Sequence, residues 1–175
     1  MCGIIGFTGD TPAVDVLLNG LERLEYRGYD SAGIAVINGD KIDIIKSKGR
    51  LACLREKVEN NRPAGTCGIG HTRWATHGEP SDINAHPHFD TAKNIAIVHN
   101  GIIENYQALK TQLIKKGIKF VSETDTEVVA QLLGVNYKGD IIEAITKTLS
   151  QLRGSYALGV MCTDYPGRIF CTRKD

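Results

Sequence analysis

The chain opens on an apolar run, Ile4-Ile5-Gly6-Phe7, that suits a buried strand, and Thr11-Pro12 then supplies a capping residue followed by proline at a first helical position. Val14, Leu17, Leu18, Leu21 and Leu24 recur behind it at helical spacing, and Gly28 stands where a helix C-cap is expected. The apolar stretch 32–37 and the alternating Lys41-Ile42-Asp43-Ile44 flank Asn38-Gly39-Asp40, whose Asn-Gly pair favours the positive φ of a tight hairpin. Further strands are predicted at 67–71, 95–99, 155–162 and 168–172, the last two joined by the turn Asp164-Tyr165-Pro166-Gly167.

Helices are predicted over 104–116, 126–136 and 141–152. Thr124-x-x-Glu127 and Asp140-x-x-Glu143 form capping boxes at the starts of the last two. Hairpins and helices alternate irregularly, which fits an α+β layered fold better than a doubly wound parallel sheet. The longest polar interruption, residues 72–90, holds Arg73, Trp74, Thr76, three histidines and two prolines. A long structured loop of this kind tends to carry function.

Composition narrows the classes. A chain of 175 residues with 42% hydrophobic content is sized for one domain with a substantial core. Its net charge of +1, from dispersed basic residues, leaves no electrostatic footprint for nucleic acid or an anionic membrane, and points to a small or neutral substrate. Five cysteines, Cys2, Cys53, Cys67, Cys162 and Cys171, include no C-x-x-C pair and an odd member, which fits neither a disulfide framework nor a zinc site. The amino terminus lacks a basic region followed by a long apolar stretch, and no later run approaches the roughly 20 residues that span a bilayer. A cytoplasmic protein is expected.

Cys2 follows the initiator methionine directly, and its small side chain permits methionine removal. That would leave a thiol and a free α-amine on one residue. An α-amine has a reference pKa of about 7.7, so a useful fraction is an unprotonated base near neutrality, able to take the thiol proton directly or through water. The competing reading is a small apolar residue at the start of a strand. His86-Pro87-His88 lacks a third ligand at a recognisable spacing, so no metal is expected. Gly3-x-x-Gly6-x-x-Gly9 is not a dinucleotide fingerprint, so no nucleotide cofactor is expected either.

Six segments in order, Cys2-Gly3-Ile4-Ile5-Gly6, LEYRGYDSAG at 24–33, HTRWATHGEP at 71–80, NAHPH at 84–88, HNGIIEN at 99–105 and SETDTE at 122–127, resemble the class II glutamine amidotransferases. LEYRGYDSAG with TRWATHGEP favours the branch whose ammonia acceptor is a sugar phosphate. The resemblance implies a four-layer αββα sandwich of the N-terminal nucleophile type. It also implies hydrolysis of the glutamine side-chain amide to glutamate and ammonia through a γ-glutamyl thioester on Cys2. Asn100, through its side-chain amide, and Gly101, through its N–H, match the oxyanion donors, although Asn-Gly is also an ordinary tight turn. Arg73 and Asp125 match the groups that hold the α-carboxylate and α-ammonium of L-glutamine, against the alternatives of a solvated surface charge and a helix N-terminal residue. Thr76 and His77 match the same binding loop. Trp74 matches part of a lid, or else anchors the loop in a core, and Arg27 matches a supporting position.

In the intact family the ammonia serves glucosamine 6-phosphate synthesis from fructose 6-phosphate on a sugar-phosphate isomerase domain, in a protein that can be a homodimer. Nothing in residues 1–175 resembles that domain, and the chain is expected to be a glutaminase domain truncated at its C-terminus. Two other readings stay open: a non-catalytic glutamine-binding or regulatory remnant, and an N-terminal nucleophile hydrolase acting on another amide.

Overall fold

The computed structural model describes residues 2–74 and 78–174. In chain order they form β1 (Gly3–Thr8), α1 (Ala13–Leu24), a 3₁₀ turn (Glu25–Arg27), β2 (Ser31–Asn38), β3 (Lys41–Lys48), α2 (Leu51–Asn60) and β4 (Cys67–Arg73). There follow β5 (His88–Phe89), β6 (Ile95–Ile103), α3 (Tyr106–Lys115), α4 (Asp125–Asn136), α5 (Ile141–Leu149), β7 (Gly154–Cys162) and β8 (Phe170–Lys174). The first sheet runs β1-β4-β2-β3 and the second β5-β6-β7-β8, with every pairing antiparallel.

Because side chains alternate across a strand, each sheet has two faces to cover. On β2, Ala32, Ile34 and Val36 pack under α1 and α2 with Leu17, Leu21, Leu54 and Val58. On β6 and β7, Ile95, Ile97, Leu158 and Val160 pack against α4 and α5 with Val129, Leu133 and Ile141. The remaining faces meet each other through Ala35, Ile37, Cys67, Ile69, Ala96, Val98 and Met161. Helices, sheet, sheet and helices therefore form four layers, the αββα sandwich. Ile69 and Val98 are fully buried between the sheets, and such burial stabilises by about 1.5–3 kcal/mol per side chain.

The structure departs from the sequence reading at several points. α2 lies outside the predicted elements. Its Leu51, Leu54 and Val58 do form a buried stripe, but Arg55, Glu56 and Lys57 dilute it. β5 is only two residues long, too short to leave a period-2 signal. Thr11 does not cap α1: Pro12 occupies the N-cap position with no side-chain hydrogen bond, and the helix begins at Ala13. Gly28, at φ 101°, closes the 3₁₀ turn after α1 rather than α1 itself, its N–H donating to Glu25 O at 3.0 Å. The hairpin register pairs Asn38 with Lys41, so Gly39 and Asp40 are the turn residues, and glycine takes the first central position as in type II′ hairpins.

The cap at α4 is half of the expected box. Thr124 Oγ1 accepts from Glu127 N at 3.2 Å, but the buried Glu127 carboxylate turns to the N–H groups of Val121 and Ser122 instead of Thr124. Asp140 caps α5 from Ile142 N at 2.8 Å and Glu143 N at 3.0 Å. All five cysteines are free, and among the described residues no helix is long and apolar enough to cross a membrane. The two helix starts give a paired prediction. Asp140→Ala should cost about 1 kcal/mol, read as a fall of roughly 2–4 °C in Tm, whereas Thr11→Ala should leave Tm unchanged; equal shifts by differential scanning calorimetry would contradict the cap assignment.

Candidate active site

β1 and β4 run antiparallel with Gly3 opposite Thr72, which brings Cys2, at the head of β1, to the end of β4. The Cys2 thiol donates to Trp74 O at 3.5 Å, and its sulfur accepts from Trp74 N at 3.2 Å. Strand alternation puts Cys2 on the same face as Ile4, which packs between the sheets. On β4 the same face carries Cys67 and Ile69, then His71 and Arg73; on β6 it carries Ala96 and Val98, then Asn100. At one end of the sandwich the inter-sheet layer thus changes from aliphatic to chemically functional on three strands at once.

Asn100 and Gly101 lie inside β6, paired with Ala157 and Tyr156, so the tight-turn reading of Asn-Gly is excluded. Asn100 Nδ2 donates to Cys2 O at 3.4 Å, and Asn100 Oδ1 lies 2.8 Å from His71 Nε2. Gly101 holds φ 116°, and a Cβ there would come within 2.2 Å of Ser155 O, so no larger residue fits the strand. Arg73 is 4% exposed, not a solvated charge. Its guanidinium donates to Asn84 O at 3.1 Å and Gly78 O at 2.6 Å, fastening the loop beyond β4.

Asp125 is the first residue of α4 and is buried; its Oδ2 accepts from Ile103 N at 2.9 Å, while Oδ1 lies 3.7 Å from His99 Nδ1. Its place at the helix terminus does not remove it from the site, because Asp125 also lines a small cavity with Cys2. The Trp74 indole is 54% exposed and packs on Gly28, where a Cβ would sit 2.3 Å from the ring, so it is no core anchor. Thr76, His77 and the side chain of Arg27 lie outside the described residues.

A cavity of about 30 Å³ is lined by Cys2, Arg73, Trp74, Gly101 and Asp125, with His86, His99 and Thr124 behind them. A separate cleft of about 510 Å³ meets Cys2 and Asn100 from the side of β8. Cys2 stands between the two.

Behind the small cavity the sequence reading missed a buried histidine stack. His71 and His86 rings lie 4.2 Å apart and His86 and His99 6.4 Å apart, with His88 edge-on to His86 at 5.1 Å. Thr126 Oγ1 joins His99 Nδ1 at 2.9 Å and His86 Nε2 at 3.2 Å, and Thr124 Oγ1 meets His88 Nε2 at 3.1 Å. Burial is the first cause that lowers all four pKa values, His71 to about 4 and His86 and His88 well below the ordinary 6.5; neighbouring positive groups add to it at His71, His86 and His88, whereas Asp125 partly offsets it at His99. The rings are therefore neutral near pH 7. The alternation Cys67, Ile69, His71, Arg73 was the available signal for His71.

A four-layer αββα sandwich with a cysteine at the head of its first strand, facing the gap between the sheets, is the arrangement of the N-terminal nucleophile amidotransferases. Residues 71–175 match the family model described as "Glutamine amidotransferase domain". The chain belongs to the glutamine amidotransferase domain family. It is 61% identical over 175 residues to glutamine--fructose-6-phosphate aminotransferase [isomerizing] of Caldanaerobacter subterraneus subsp. tengcongensis, and 51% identical over 177 residues to the protein of the same name from Thermococcus kodakarensis. All of this chain is matched in both, yet it spans only 29% of either relative. Among solved structures, glutamine phosphoribosylpyrophosphate amidotransferase from B. subtilis superposes with a TM-score of 0.80 at 30% identity, covering 93% of this chain and 35% of that one.

The histidine stack sets a pH dependence of stability. Unfolded histidines bind protons below about pH 6.5 that the folded, lowered groups refuse, so stability is complete above that value and is lost as pH falls toward 4. Asp90, raised by its own burial, opposes this as one group against four. Tm should fall by roughly 5 °C or more between about pH 7.5 and 5.5. A Tm that held steady or rose over that interval would contradict the burial of neutral rings.

Proposed function

We propose that this chain is a glutaminase domain, residues 1–175, that hydrolyses the side-chain amide of L-glutamine with Cys2 as nucleophile. The observation that carries the reading is the meeting of Cys2 at the head of one sheet with an amide donor from the other: Asn100 Nδ2 donates to the Cys2 backbone oxygen at 3.4 Å, and Gly101 follows it along β6. After removal of Met1, the α-amine of Cys2 takes the thiol proton and sulfur attacks the amide carbon. Charge then develops on the amide oxygen, where Asn100 Nδ2 and Gly101 N–H receive it. The protonated amine gives its proton to the leaving nitrogen, ammonia departs, and water cleaves the γ-glutamyl thioester to glutamate and free Cys2.

Arg73 holds the α-carboxylate and Asp125 the α-ammonium, with Thr76 and His77 in the same binding loop, Trp74 in the lid and Arg27 in support. Both charged groups line the small cavity together with Cys2, which supports this division of labour. That cavity has room for about two waters, so glutamine must widen it on entry, and the half-exposed Trp74 is the wall able to move. The names of the longer relatives support a further assignment. We assign the ammonia to fructose 6-phosphate, on a sugar-phosphate isomerase domain outside the matched 29%, and from the family resemblance propose a cytoplasmic protein that can be a homodimer.

An alkylating glutamine analogue should label Cys2 alone among the five thiols, and the mature chain should begin at Cys2. Peptide mapping that finds another cysteine modified and Cys2 untouched would reject the nucleophile. Wild type should release glutamate and ammonia in equal amounts with or without fructose 6-phosphate, and Cys2→Ala should release neither while still binding glutamine. Tight binding without turnover by a folded wild type would instead favour the glutamine-binding remnant, and turnover of other amides in preference to glutamine would favour a different hydrolase. For Asn100→Ala, kcat should fall by roughly 10²- to 10³-fold with a smaller change in KM. Asp125→Ala should raise KM, and an unchanged KM would remove Asp125 from recognition of the ammonium.

A further inference from the structure

We propose that His71 is a positioning residue whose Nε2–H holds the Asn100 carboxamide with its NH₂ group, not its oxygen, facing the carbonyl under attack. The proposal rests on the reading of Cys2 as nucleophile and Asn100 as oxyanion donor. A carboxamide has nearly the same shape after a half-turn, so shape alone does not orient it; its hydrogen-bond partners do. The wrong orientation would aim a lone pair at the developing oxyanion and replace attraction by repulsion.

His71 decides between the two. Its Nε2 lies 3.0 Å from the backbone oxygen of His99 and 2.8 Å from the Asn100 side chain. A peptide oxygen has no proton to give, so Nε2 carries the hydrogen. A donor at Nε2 requires an acceptor from Asn100, which fixes Oδ1 toward His71 and leaves Nδ2 pointing to Cys2, where it donates to Cys2 O at 3.4 Å.

The ring itself has little freedom. It is fully buried, stacked on His86 at 4.2 Å, and carried by β4, whose register with β1 also sets the position of Cys2. Its Nδ1 is buried with no hydrogen-bond partner among the described residues, as the Nε2–H tautomer in a closed environment leaves it. Its pKa, lowered by burial to about 4, keeps the ring neutral near pH 7, with the single N–H that orienting the carboxamide requires.

The test combines kinetics with a readout that needs no turnover. Steady-state glutamate release is measured for wild type, His71→Ala, His71→Gln, Asn100→Ala and the double variant His71→Ala with Asn100→Ala. His71→Ala should lower kcat by at least about 10-fold but by no more than the roughly 10²- to 10³-fold of Asn100→Ala, with KM within about 2-fold. Gln, whose Nε2 stands close to that of histidine, should restore most of the loss. In the Asn100→Ala background the added loss should be under about 2-fold, because the group being positioned is gone. A full multiplicative loss there would mean that His71 supports the fold generally, and would overturn the proposal; so would an unchanged kcat for His71→Ala against an active wild type. Independently, long-range ¹⁵N–¹H spectra of the wild-type chain should show the His71 proton on Nε2 from about pH 6 to 8, and a proton on Nδ1 would overturn the proposal even if His71→Ala fails to fold. Absence of glutamate from wild type would sink the glutaminase reading instead, and the tautomer would still decide the orientation.

Discussion

Everything at the site depends on burying one apolar layer between two sheets. Ala35, Ile37 and Ile69 on one side meet Ala96, Val98 and Met161 on the other, and this contact fixes the separation and registration of the sheets. Cys2 stands just before β1 of the first sheet, His71 and Arg73 lie in its β4, and Asn100 and Gly101 lie in β6 of the second. No interaction within a short stretch of chain joins these groups, so Cys2, Asn100 and Gly101 meet only because the aliphatic contact brings their strands together.

The same layer explains why the chemistry sits where it does. Strands β1, β4 and β6 each keep one face toward the gap, and near one end each exchanges an aliphatic side chain for a functional one: Ile4 for Cys2, Ile69 for His71 and Arg73, Val98 for Asn100. Such an edge is costly, since buried polar groups must find partners. His71 bridges the sheets to Asn100 and His99 O, Arg73 donates to loop carbonyls, and Thr126 and Thr124 meet the other imidazoles. In return, polar groups are held in a buried setting, where a fixed donor acts more strongly than it would in water. Neutral histidines suit this edge because a ring supplies one donor without requiring a counter-charge.

Relatives at 51–61% identity share this chain over its whole length while being more than three times as long, and the solved amidotransferase at 30% identity keeps the fold with a TM-score of 0.80. The matched region is thus about a third of each of these longer proteins. Its mouth at Trp74, which touches Cys2 through its backbone and Gly28 through its ring, links the Cys2 thiol to the 3₁₀ turn after α1. A movement at that turn would be felt at the thiol with few intermediaries.

The sequence by itself determined what is local. Period-2 and period-3.6 patterns located β1, β2, β6, β7 and helices α1, α4 and α5 to within a few residues, and Asp140 announced its cap. Where local signals were diluted or too short, as in α2 and β5, the pattern failed. Tertiary structure alone decided that Asn100-Gly101 continues a strand instead of turning, because the pairing with Ala157 and Tyr156 outweighs the local preference of the pair. It alone decided that Arg73 is buried and that His71 faces Asn100. The physical reason is separation along the chain: Cys2 and Asn100 are 98 positions apart and His71 and Asn100 are 29 apart, so no window of sequence contains the contact, which arises only when two independently patterned sheets close on each other.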